Sequence, residues 1–136
     1  MIDACGLLTT YLRADAVLMI ATGGNVYCET VPDHPGDLFV LARTVDAEVT
    51  APPSMGWDTY GLTVDVVGVM IDTTGCADAV SQVRDRVATF TGLHGDATVA
   101  STSIDNTTYL IDDSVSPARP RWVVAASVVA RTTTTT

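Results

Sequence analysis

Few residues in this 136-residue chain have the type and spacing to do chemistry, and they are scattered. His34 stands between Asp33 and Pro35 with Asp37 close by, a grouping that could hold a metal ion or move a proton. The run around it, Pro32-Asp33-His34-Pro35-Gly36-Asp37, is a dense turn signal, and a surface turn is its simpler reading. His94, in Leu93-His94-Gly95, suits a loop at a helix exit, where imidazole meets the negative end of the helix dipole. Cys5, Cys28 and Cys76 form no C-x-x-C pair and are odd in number. They fall in apolar stretches and read as small, reduced core residues. The chain contains no G-x-S-x-G, P-loop, G-x-G-x-x-G or H-E-x-x-H motif. The expectation is a protein that is not an enzyme, with no catalytic, cofactor-binding or metal-binding residues.

Composition narrows the partners. Hydrophobic residues make up 47% and charged residues 17%, a folding composition of single-domain size. No apolar run approaches the ~18 residues of a membrane span, and the start lacks the basic segment of a signal peptide, so a chain that folds in a cytoplasm is expected. Sixteen acids face seven arginines, with no lysine and a formal charge of −9. Such a surface repels phosphates and argues against specific nucleic-acid binding. An acidic wall can still serve DNA by letting it slide past without sticking.

The elements that must position these residues follow from periodicity. Asp3 caps a helix over 4–13, with Leu7, Leu8, Tyr11 and Leu12 at helical spacing and Ile2 placed to staple onto Leu7. Asp15 starts another short helical segment that Gly23-Gly24-Asn25 breaks. Strands are predicted over 26–31, 38–45 and 61–71, the last apolar on both faces beyond Val66. Cys76, Val80, Val83, Val87 and Phe90 draw one stripe along a helix over 75–91, with Gly92 as its left-handed exit. A hairpin over 97–103 and 107–112, turning at Asp105-Asn106, precedes a final strand over 121–131. The resulting expectation is an α+β fold: a mixed, mainly antiparallel sheet with two main helices packed on one face. Residues 1–131 form the single domain and 132–136 a Thr-rich tail.

Between the second and third strands, 46–60 reads as a long loop holding Met55, Trp57 and Tyr60. Large apolar residues in such a loop mark these three as candidate interface residues. Arg119 and Arg121, flanking Pro120, are further candidates.

This order of elements resembles the tail terminator proteins of long-tailed (siphovirus-type) phages, similar to lambda minor tail protein U. The likeness starts in Leu7-Leu8-Thr9-Thr10-Tyr11-Leu12-Arg13-Ala14-Asp15 and Asn25-Val26-Tyr27 with the Pro-rich turn after it. It continues through Phe39-Val40-Leu41, the Thr63–Ile71 strand, the striped helix and the Trp122 strand, nearly the whole chain. The resemblance implies a homo-oligomeric ring, usually a hexamer, in the tail-neck region of a virion and assembled in the host cytoplasm. Such a ring caps the tail tube protein, ends its polymerisation and joins the head-completion (stopper) protein. DNA passes through its lumen without specific binding, and no membrane is involved. Asp46, Glu48 and Asp58, placed in the long loop, are candidate lumen-facing acids. Two alternatives stand beside it: a head-closure or neck adaptor protein of the same connector, and a small ligand-binding or enzymatic α+β domain using His34, Asp33 and Asp37.

Overall fold

A computed structural model describes residues 2–48 and 56–132. The chain runs α1 (Ala4–Arg13), α2 (Ala16–Thr22), β1 (Val26–Cys28), β2 (Phe39–Glu48), β3 (Asp58–Val67), a 3-10 turn (Met70–Asp72), α3 (Thr73–Ala88), β4 (Gly92–His94), β5 (Ala97–Asp112) and β6 (Arg119–Thr132). The strands form one six-stranded sheet in the order β1-β2-β3-β6-β5-β4. Only β1 and β2 are parallel; every other pairing is antiparallel. The α+β expectation therefore holds, with helices against a mixed, mainly antiparallel sheet.

Each helix starts on an aspartate that satisfies orphan backbone donors. Asp3 accepts from Gly6 N at 2.9 Å, Asp15 from Val17 N and Leu18 N, and Asp72 from Gly75 N at 2.9 Å. Gly23, at φ +63°, ends α2 in the left-handed conformation that costs glycine least. The apolar positions then meet the sheet. Cys5, Leu8 and Leu12 of α1 and Cys76, Val80, Val83 and Val87 of α3 share one core with alternate residues of the strands. In β3 these are Tyr60, Leu62, Val64 and Val66; in β6, Val124, Ala126, Val128 and Ala130. Full burial of each large aliphatic side chain contributes roughly 1.5–3 kcal/mol before entropy is counted.

Among the described residues, the opposite face of the sheet carries no helix. Phe39, Leu41 and Val67 form a small second cluster there with Tyr27 packed against it.

Several boundaries differ from expectation. β1 is only three residues long, because Glu29 takes a positive φ of +67° and leaves the strand. β2 and β3 extend into the expected 46–60 loop, so Asp46, Glu48, Asp58 and Tyr60 are strand residues. β3 ends at Val67, and Met70 and Ile71 turn outward, Ile71 being 97% exposed. The apolar pair that ends β3 serves both faces, Val66 packing in the main core and Val67 in the second cluster. α3 ends at Ala88, although Gly92 does adopt φ +87° as β4 begins.

The predicted hairpin at Asp105-Asn106 is absent. β5 instead runs unbroken for 16 residues against β6, and the register slips by one between Ile104 and Asn106. Such a bulge absorbs an extra polar residue without reversing the chain. Asp105 is held there by a 2.7 Å hydrogen bond from Ser127 Oγ. The polar pair that suggested a turn is a wet edge of a long ribbon.

Candidate assembly surface

The helix-free face is organised by charge. Asp65 points away from the helices on β3, yet it is fully buried. Its Oδ2 accepts from Arg43 on β2 at 2.8 Å, and from Nε of Arg121 on β6 at 3.0 Å as well as Nη2 of the same guanidinium. Arg121 also reaches Asp112 on β5 at 3.2 Å. Four adjacent strands are thus laced by Arg43–Asp65–Arg121–Asp112. The Asp112 carboxyl is held below the usual range by hydrogen bonds from Ser114 and by the Arg121 charge.

Arg119 is also engaged within its own chain. Its Nε donates to Gly68 O at 2.8 Å, and its Nη2 donates to Gly36 O at 2.8 Å and Asp37 O at 2.6 Å. The guanidinium lies 5.1 Å from the Phe39 ring centroid. It therefore staples the Pro-rich turn to the start of β6. Beside it opens a cleft of about 770 Å³ lined by Val31, Pro32, Phe39, Ile71, Val115 and Pro117 among others. Asp33 and Asp37 stand on its lining, while His34 is exposed outside it. Among the described residues, His34 belongs to no group of three metal-ligating side chains.

The remaining candidates separate. Tyr60 is 1% exposed: its hydroxyl accepts from Ile2 N at 3.1 Å and lies 3.3 Å from Asp58 Oδ2 as donor. Its reading as an exposed interface residue is corrected, because alternation along β3 turns it into the core. Asp58 is buried beside it and so differs from Asp46 and Glu48, which are exposed at the end of β2. The Asp46 carboxylate folds over Gly61, where any side chain would displace it. Trp57 is exposed at its edge, with the Arg131 guanidinium stacked 4.4 Å from the ring centroid. Met55 lies outside the described residues, as do 133–136 of the Thr-rich tail.

Two surface features escaped the sequence reading. The first is the outer edge of β5. β4 pairs only with 97–99, so from Ala100 to Asp112 that edge meets no strand among the described residues. At ~3.3 Å per residue β5 spans roughly 50 Å, about twice the ~24 Å of α3, so the helices cannot cover it. Tyr109, Leu110 and Ile111 are exposed along its far end, with Tyr109 stacked on Trp122 at 4.7 Å between centroids. The two turn-like residues Asp105-Asn106 concealed this continuity. The second feature is a meeting of thiols. Cys28, half-buried at the end of β1, lies 3.2 Å sulfur to sulfur from Cys5 in α1. Burial, followed by the contacts with Cys28 and Glu29, raises the Cys5 thiol well above its ordinary range. A separation of 23 positions left no spacing signal for this pair.

No protein-family model matches the chain, and no curated protein does. Among solved structures it is similar to a chain of the virion of a native gene transfer agent (GTA) particle. The TM-score is 0.69 at 18% sequence identity, covering 93% of this chain and 94% of that one. At that identity the likeness establishes a shared fold.

Proposed function

We propose that this protein is a ring-forming structural subunit of a phage-type virion, acting as the tail terminator. On this reading it caps the tail tube, ends its polymerisation and joins the tail to the head-completion complex. The observation that carries the reading is a fold shared end to end with a chain from a virion, with almost nothing left over on either side. The long open edge of β5 supports assembly. Soluble monomers usually shorten, cover or charge such edges, because an unpaired row of N–H and C=O groups recruits another chain. Its partner here is a second copy, and a heterologous contact of that kind closes into a ring when its rotation divides the circle. Of the three candidate lumen acids, Asp46 and Glu48 are exposed and could line a lumen through which DNA slides, whereas Asp58 is buried.

Native mass spectrometry and negative-stain imaging of purified protein with tail tubes test this reading. The expected result is a closed ring, six copies in the favoured case, seated at tube ends. A species that stays monomeric at high concentration and ignores tube ends would overturn it. In an assembling system, removal of the protein should yield abnormally long tails. Filled heads that leak DNA with normal tails would assign the head-closure role instead.

A further inference from the structure

We propose that Cys5, Cys28 and Glu29 form a binding site for a thiophilic divalent cation, with Zn2+ the ion their ligand set fits. Their two sulfurs and a carboxylate oxygen all lie within 4.8 Å of one another, the one such grouping of three ligand atoms among the described residues. The sulfurs, 3.2 Å apart, stand between a disulfide at about 2.05 Å and the separation of about 3.8 Å that two ~2.3 Å Zn–S bonds give in a tetrahedron. A small opening of the pair would seat the ion.

The backbone around Glu29 points the same way. It is the one non-glycine with positive φ among the described residues. Thr30 N donates to Cys28 O at 2.8 Å, closing a tight three-residue turn on Glu29, a strained arrangement that glycine would hold more easily. What glutamate adds is a carboxylate. Its Oε1 is fixed by Thr44, which donates from N at 3.2 Å and from Oγ1 at 2.8 Å. The turn therefore sets an anchored carboxylate beside two thiols, one on α1 and one on the residue before it at the end of β1.

Access and softness choose the ligand. Cys5 is fully buried, Cys28 half-buried and Glu29 exposed, so the site has a closed floor and an open mouth. Two thiolates favour Zn2+ over Mg2+ or Ca2+, and three protein ligands leave a fourth position for water. Binding exchanges both thiol protons for the ion, the protons passing to buffer, with no change in oxidation state. The bound ion would tie α1 to the three-residue edge strand β1 and, through Glu29, to β2.

The test is titration of the reduced, chelator-treated full chain with Co2+ alone, followed by displacement with Zn2+. The expected result is a thiolate-to-cobalt charge-transfer band saturating at one ion per chain, bleached by Zn2+, with a raised melting temperature. Cys28→Ser should abolish the band. Glu29→Gln should weaken binding at least about tenfold, the loss seen even for outer-shell partners. Absence of the band in the wild-type chain overturns the proposal whatever the variants do. So does a band that survives Cys28→Ser, or reduced protein that takes up no metal yet readily oxidises to a Cys5–Cys28 disulfide.

Discussion

Arg121 on β6 grips Asp65 on β3 through both Nε and Nη2, and both bonds fall on the same carboxylate oxygen. That oxygen also receives Arg43, so one fully buried carboxylate organises three neighbouring strands on the face without helices. Asp65→Ala would leave two guanidinium groups without their shared anion. Loss of one partner from a buried pair costs about 3–5 kcal/mol. Arg43, whose side chain is 44% exposed, can turn to water, which places the expected loss near ~3 kcal/mol. Urea denaturation of the variant measures it, and a loss below about 1 kcal/mol would show that the lacing contributes little.

Tyr60→Phe separates a core role from an interface role. The hydroxyl holds the N-terminal Ile2 amide and contacts Asp58 within the same chain. Removal should cost roughly 1–3 kcal/mol by leaving buried polar groups unmatched, with the proposed self-assembly unchanged once the chain is folded. Thermal melts alongside native mass spectra distinguish the outcomes.

The Asp15 side chain links α2 to α3 and makes stability depend on acid. Burial pushes its carboxyl up, but hydrogen bonds from Gln82, Leu18 N and Val17 N and the Arg86 charge together bring it below the ordinary value. A carboxyl depressed on folding stabilises the native state fully above its unfolded pKa of about 3.9, and that contribution is lost as pH falls through the lower folded value. Wild type should therefore lose stability below about pH 4 more steeply than Asp15→Asn, which keeps a helix cap but no titratable charge. Denaturant midpoints measured from pH 6 to pH 2 check the difference.

Leu110→Lys addresses the β5 edge. Leu110 is 41% exposed, so lysine should change monomer stability by no more than about 0.5 kcal/mol. Repeated around the proposed ring, a charge at that edge should block strand pairing and shift the population towards monomer. Sedimentation velocity reads the shift; an unaltered assembly would move the proposed contact elsewhere, with Ile71 at the cleft the next position to change.

The local rules were legible wherever one residue type decides the outcome. Asp3 and Asp15 announced their helices because a short carboxylate satisfies free amides with no tertiary help. The stripe from Cys76 to Phe90 predicted a buried face because the helix period is intrinsic to the backbone, and Val124, Ala126, Val128 and Ala130 of the final strand are buried at the strand period for the same reason. The missing catalytic motifs were equally plain in the sequence. Tertiary structure decided the rest. Asp105-Asn106 carries turn chemistry, but pairing along β6 offers a continuous ladder, and a bulge costs less than ending it. Arg119 and Arg121 read as candidate interface residues because sequence gives no hint that Gly36, Asp37, Asp65 and Gly68 come within reach. Cys5 and Cys28 looked independent for the same reason. Burial periodicity is written along the chain, whereas partners for charges and thiols are set by strand order, which arises only when distant segments pack.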